Sequence, residues 1–277
     1  VAALAAISLV SGLRWWLVMR ALAPPLPLGR VTALMFIGTF FTQVLPTSVG
    51  GDAVRIWQVT RAGVGFQRAF IGVMLERITG LVALVLIVAA GVLWLGDQID
   101  PPGLRLLLLA SLPLLAGGLI VLCLLDRLPV GFEQFFRCLP LLGTTLDLLK
   151  AMAADARRVL LAQPLSLALL LLSAAAQLCS VLAVWALAQG LGLSLGFAEA
   201  LAVVPAIILI TFIPLSFAGW GLREGASVVM LGCVGLAADQ AVAVSVLFGL
   251  ASLLAGLPGC LLWFKGGRRL PPAASPA

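Results

Sequence analysis

The sequence predicts an all-α fold, a polytopic helix bundle in a membrane, and three observations carry that prediction. Hydrophobic residues fill 62% of the 277 positions and charged residues only 10%, with a mean hydropathy of +1.20, whereas soluble domains are about a quarter charged. Uncharged runs at Ile78–Gly96, Leu106–Leu125, Ala200–Leu222 and Ala241–Phe264 approach or exceed the roughly 20 residues a helix needs to cross a bilayer. The basic residues fall almost entirely on one side of the spans that such runs define.

Hydropathy predicts about seven spans, at about 1–21, 31–46, 67–95, 104–125, 164–189, 198–214 and 240–264. Val1 opens the chain and no basic n-region precedes the apolar run, so residues 1–10 read as part of a span rather than a signal peptide. Arg14 beside Trp15 and Trp16 reads as a snorkelling anchor near the cytoplasmic end of the first span. Short segments at about 52–62 and about 222–235 follow the second and sixth spans. With Arg55, Gln58 and Thr60 among Val54, Ile56 and Trp57, the first of these is too short and too polar to cross, and both read as re-entrant arms. Residues about 126–163 interleave Phe132, Phe135, Phe136, Leu139, Leu142, Leu146 and Leu149 with charges. They predict an amphipathic pair of helices on the cytoplasmic surface, broken near Pro140 and Gly143. The whole is one integral membrane domain.

Charge sets the orientation. If each span crosses once and each arm returns to its own side, one face receives Arg20, Arg30, Arg61, Arg68, Arg127, Arg137, Lys150, Arg157, Arg158, Lys265, Arg268 and Arg269, and the other only Arg105. The first face is then cytoplasmic, as expected for a protein of the cell inner membrane. Val1 falls outside on this count, and a further span before it would restore a cytoplasmic start.

Several chemistries are disfavoured. Histidine and tyrosine are absent, which removes the commonest general base and zinc ligand. The five cysteines have no CxxC spacing, so they read as apolar filler rather than a metal or redox set. No cofactor or metal is called for, and the net charge of +6 reads as membrane topology rather than nucleic-acid binding.

An internal repeat locates the candidate site. Leu45-Pro-Thr-Ser-Val-Gly-Gly-Asp-Ala-Val-Arg55 is matched by Ile213-Pro-Leu-Ser-Phe-Ala-Gly-Trp-Gly-Leu-Arg223-Glu, within repeat units of about 30–96 and about 197–264. Three crossings separate the copies, so the second enters from the opposite face. Gly- and Pro-interrupted segments at matching places in inverted halves point to a midplane binding site. Proline and glycine leave backbone groups that only protein or a wet cavity can satisfy; the alternative is a pair of packing kinks.

Asp52, Arg55, Glu76, Arg77, Arg223 and Glu224 fall in or beside these units. At on the order of 3 kcal/mol each, six unpaired charges would cost roughly 18 kcal/mol in the membrane, so they must be paired or wet. Glu76 and Arg77 point about 100° apart on one helix, and Glu76 is expected to pair with Arg55 or Arg223. The arginine forks match phosphate oxygens, and the arms beginning near Asp52 and Leu222 would add helix N-terminal amides. For Glu76 and Glu224 a purely structural salt bridge stands beside a functional role. Ser48 and Ser216 would bond a head group or cap a broken helix, and Gly50, Gly51, Gly219 and Gly221 complete the candidate binding set.

LPTSVGGDAVR at 45–55, the ERITG run from Glu76, and PLSFAGWGLRE ending at Glu224 together resemble the lysylphosphatidylglycerol synthase transmembrane-region family. The resemblance runs from about Arg14 to the end of the chain. It implies a flippase-like lipid translocase whose ligands are membrane lipids with anionic, aminoacylated or glycosylated head groups, and a lipid-synthesis enzyme as a partner. It leaves the oligomeric state open, and the synthase activity of relatives fused to a catalytic domain is not carried over. Two other readings compete: an integral-membrane enzyme acting on lipid-linked substrates with Glu76, Asp52 or Glu224 as base, and an accessory scaffold of a lipid-modification or lipid-linked glycan pathway.

Overall fold

The computed structural model describes residues 1–24, 26–45, 49–95, 102–127, 140–161, 164–212 and 221–267, and the regular structure of these residues is helical throughout. In order the helices are α1 (Ala2–Leu22), α2 (Leu28–Val44), α3 (Gly50–Arg61), α4 (Phe66–Leu95), α5 (Pro102–Leu124), α6 (Pro140–Leu160), α7 (Leu165–Gly190), α8 (Phe197–Thr211), α9 (Leu222–Gly232) and α10 (Ala238–Leu262).

Every expected span falls on a helix, but the spans differ in kind. Helices α1, α4, α5, α7 and α10 are long and apolar enough to cross a membrane. Helices α2 and α8 have 17 and 15 residues, about 25 and 22 Å at 1.5 Å per residue, short of the about 30 Å hydrocarbon core. These two lead into the proline- and glycine-broken segments, and each packs against the arm that follows it, α2 on α3 and α8 on α9.

The two units close alike. After α3, Gly63 (φ 94°) lets the Val64 N–H reach the Val59 carbonyl at 3.3 Å; after α9, Gly235 (φ 88°) lets the Leu236 N–H reach the Leu231 carbonyl at 3.1 Å. Both are left-handed caps that a side chain would strain. The opening helix of each unit packs on the closing helix of the other, α2 on α10 and α8 on α4. Glycine permits both contacts: a Cβ at Gly259 would lie 2.0 Å from the Phe36 carbonyl oxygen, and one at Gly91 2.9 Å from the Ala202 Cα. Small residues at such crossings let backbones approach where no hydrophobic force holds helices together.

Apolar packing holds these units in two clusters that meet at α4. Leu84, Val88 and Val92 pack with Val181, Val203, Met230 and Val244, while Val73 packs with Trp15, Met19, Val31 and Val59. On the periphery α5 leaves Leu106 70% and Leu114 78% exposed, the face that a bilayer rather than water solvates. Helix α6 is the second member of the expected amphipathic pair and departs from expectation only in having no break at Gly143. It is one helix that begins at Pro140 and continues through Gly143, since proline is tolerated at a first helical position. Its Ala156 and Val159 are buried against Val18, Ile71, Leu75 and Leu169, and Arg157 Nη1 donates to the Cys123 carbonyl at 3.1 Å. The other expected helix lies outside the described residues.

Candidate functional site

The arm α3 carries Asp52 and Arg55 three residues apart, so both fall on one helix face, and that face is turned inward: Asp52 is 2% and Arg55 5% exposed. Facing them from α4 are Glu76, 4% exposed, and Arg77. The fifth member is Arg14 of α1, 8% exposed.

These charges form one connected network. Glu76 Oε1 accepts from Arg14 Nη2, and from Arg14 Nε at 3.1 Å. Its Oε2 faces Arg55 Nη1 at 3.4 Å. Arg14 Nη1 donates to Ser173 Oγ at 2.7 Å. Asp52 accepts from Arg55 Nη2 on one oxygen and forms an ion pair with Arg77 through the other. Aromatic faces complete the cage, with Arg55 4.9 Å from the Trp15 ring centre and Arg77 5.8 Å from that of Phe212. Two mid-helix glycines make room for the guanidiniums: a Cβ at Gly38 would lie 2.8 Å from Arg55 Cδ, and one at Gly80 3.1 Å from Arg14 Nη1.

The network lines a cavity of about 400 Å³ whose wall also includes Ser8, Ser11, Thr39, Thr42, Gln43, Gln177 and Ser180. Among the described lining residues three guanidiniums face two carboxylates, which leaves one positive charge in excess. A second cavity of about 260 Å³ is lined by Arg223, Ser227, Ser245, Thr211 and Ser180. There Arg223 donates to Ser245 Oγ from Nε at 3.2 Å and to Glu224 Oε1 from Nη2 at 3.1 Å. Ser180, Ile208 and Phe248 line both cavities, and the Arg223 guanidinium lies 5.9 Å from the Phe248 ring centre.

One expectation changes and three are refined. Arg14 is not an interfacial anchor: it lies eight residues, about 12 Å, inside the end of α1, and at that depth it is held by Glu76 rather than by snorkelling. Glu76 pairs with Arg55, one of its two expected partners, and also with Arg14, while Arg223 pairs with Glu224 beside the neighbouring cavity, so the six charges form two groups. Gly51 turns toward α2, where a Cβ would lie 2.2 Å from the Gly38 carbonyl oxygen, and a Cβ at Gly50 would meet the Leu45 side chain; both glycines permit close packing of α3 on its neighbours. One of the amides at the start of α9 is occupied, because the Gly221 N–H donates to Glu224 of the same helix. Ser48, Ser216 and Gly219 lie outside the described residues. Residues that the motifs did not mark, Ser173, Gln43, Gln177 and Phe248, are uncharged and sit on otherwise ordinary spans; only the glycines at 38 and 80 hinted that something large must pass α2 and α4.

Neither a curated protein nor a solved structure is significantly similar to the chain. The family model described as the lysylphosphatidylglycerol synthase TM region matches residues 1–259, which include α1 to α9, both charged groups and most of α10. The chain is thus a multi-pass membrane protein belonging to the lysylphosphatidylglycerol synthase transmembrane-region family, a lipid-related family.

Proposed function

We propose that the protein is a flippase-like lipid translocase of the cell inner membrane, a carrier rather than a catalyst, that takes a lipid phosphate head group into its polar cavity while the hydrocarbon tails stay in the bilayer. The observation that carries this reading is the network of buried Arg14, Glu76, Arg55 and Asp52 with half-buried Arg77 on the wall of a cavity of about 400 Å³. An excess guanidinium charge in a site of low dielectric favours a single anion, and the arginine fork matches two oxygens of a phosphodiester. The carboxylates make the site affordable: three bare arginines would cost on the order of 9 kcal/mol in the membrane.

The reciprocal packing of the two units supports an inverted repeat in which the Arg55 and Arg223 cavities are half-sites that open to opposite faces. Their shared wall at Ser180, Ile208 and Phe248 gives a head group a short path between two guanidinium groups. The test is lipid transfer between leaflets of vesicles containing the purified protein, with fluorescent anionic, zwitterionic, aminoacylated and glycosylated lipids compared. Protein-dependent transfer that discriminates by head group supports the reading. Folded, reconstituted protein that moves none of them contradicts it.

A further inference from the structure

Beside the polar cavity runs a groove of about 640 Å³ between α4, α7 and α8. Its rim is formed by large apolar side chains that project outward: Leu86 is 52%, Trp94 60%, Leu178 43% and Leu201 39% exposed. Its floor is low because small residues lie beneath them. Helices α4 and α8 touch backbone to backbone where Gly91 meets Ala202, and Ala90, Ala174 and Ala198 are among the other lining residues.

Gln177 borders both spaces. Its Oε1 is buried and has no hydrogen-bond partner among the described residues. On α4 the polar wall reaches Leu84 and the groove continues from Leu86 to Trp94. From Leu86 to Trp94 the helix advances about 12 Å, a little under half of the about 30 Å hydrocarbon core, and so approaches the depth of one leaflet.

We infer that this groove is an acyl-chain site for the lipid whose head group occupies the arginine cavity, with the Gln177 carboxamide at the junction of head group and chain. The carboxamide offers an acceptor and two donors, matching the hydroxyls and ester carbonyls where a glycerolipid changes from polar to apolar. The chain runs from Gln177 toward the Trp94 end of α4, away from the cluster. An aliphatic chain fits because the groove walls are apolar on every side but that junction. The inference rests on the lipid reading of the polar cavity, and it adds that the protein holds a chain as well as a head group.

The test uses the full-length chain in vesicles doped with phosphatidylglycerol carrying a diazirine near the end of one acyl chain, with labelled residues mapped after illumination. Leu86–Trp94 and Ala198–Pro205 are expected to be labelled severalfold more than Leu106–Ile120 of α5, which is at least as open to lipid. Filling the groove with Ala90→Trp or Ala198→Trp, both at exposed positions, abolishes the excess, whereas Leu106→Trp leaves it unchanged. Equal labelling of groove and α5, or an excess that survives both tryptophans, overturns the site. Leaflet transfer measured on the same samples separates the two ideas. Groove labelling without transfer retains the site and refutes translocation, and transfer by wild type without an excess of groove label does the reverse.

Discussion

Replacing Glu76 by glutamine removes the carboxylate that joins Arg14 of α1 to Arg55 of α3. Glu76 is 4% exposed and accepts from two nitrogens of Arg14, so the variant leaves a guanidinium buried with Ser173 Oγ as its remaining strong acceptor. Breaking a buried pair by removing one partner costs about 3–5 kcal/mol. Arg55 keeps Asp52, so the lower end applies, about 3 kcal/mol. Removing the stranded charge as well, in the double variant Arg14→Gln with Glu76→Gln, is expected to recover part of that loss, with a coupling of about 1–3 kcal/mol between the two sites. The assay is reversible unfolding in mixed detergent micelles followed by circular dichroism, with all four proteins of the cycle. A Glu76→Gln protein within about 0.5 kcal/mol of wild type, or strictly additive substitutions, would refute the claim that these charges hold one another in a buried network.

Other consequences follow from single contacts. Gly259→Ala places a methyl 2.0 Å from the Phe36 carbonyl oxygen and should destabilise the α2–α10 crossing by about 1–3 kcal/mol, whereas Gly117→Ala, which meets nothing within 4 Å, should be neutral or stabilising by up to about 1 kcal/mol in the same unfolding assay. Gln58 is 1% exposed, and neither end of its carboxamide has a partner among the described residues, so Gln58→Leu should raise stability by about 1 kcal/mol; a loss would mean the amide is satisfied. Arg223→Ala leaves Glu224 bonded to the Gly221 N–H and Ser245, and should cost about 1–2 kcal/mol in unfolding, clearly less than Glu76→Gln, while slowing lipid transfer.

Hydropathy located the helices because a span of lipid-facing residues must be apolar along its whole length, as α5 and α7 are. It did not separate short helices from crossing ones, since α2 and α8 are apolar to their ends. Pro, Gly and Arg at matched positions mark two similar segments in the sequence, and in the structure α2 packs on α10 and α8 on α4. The Asp52, Arg55, Glu76 and Arg77 cluster was legible because charge inside a membrane is costly and therefore conspicuous. Arg14 was hidden by Trp15 and Trp16, which give any neighbouring arginine an interfacial explanation. The separation of Arg223 from that cluster was not legible, because motif similarity says nothing about how far apart two copies lie. Gln177 was hidden for the opposite reason, as one amide on a long apolar helix marks no motif.

The central claim is that a head group reaches the buried guanidiniums and passes between them. Its most direct test compares wild type with Arg55→Ala and Arg223→Ala in leaflet-transfer measurements on an anionic phospholipid, with each variant first shown to be folded and inserted in equal amount. Protein-dependent transfer by wild type that either substitution abolishes is expected, since Arg55→Ala removes the excess positive charge of the first cavity and Arg223→Ala the guanidinium of the second. Transfer that proceeds at the wild-type rate in both variants would contradict it.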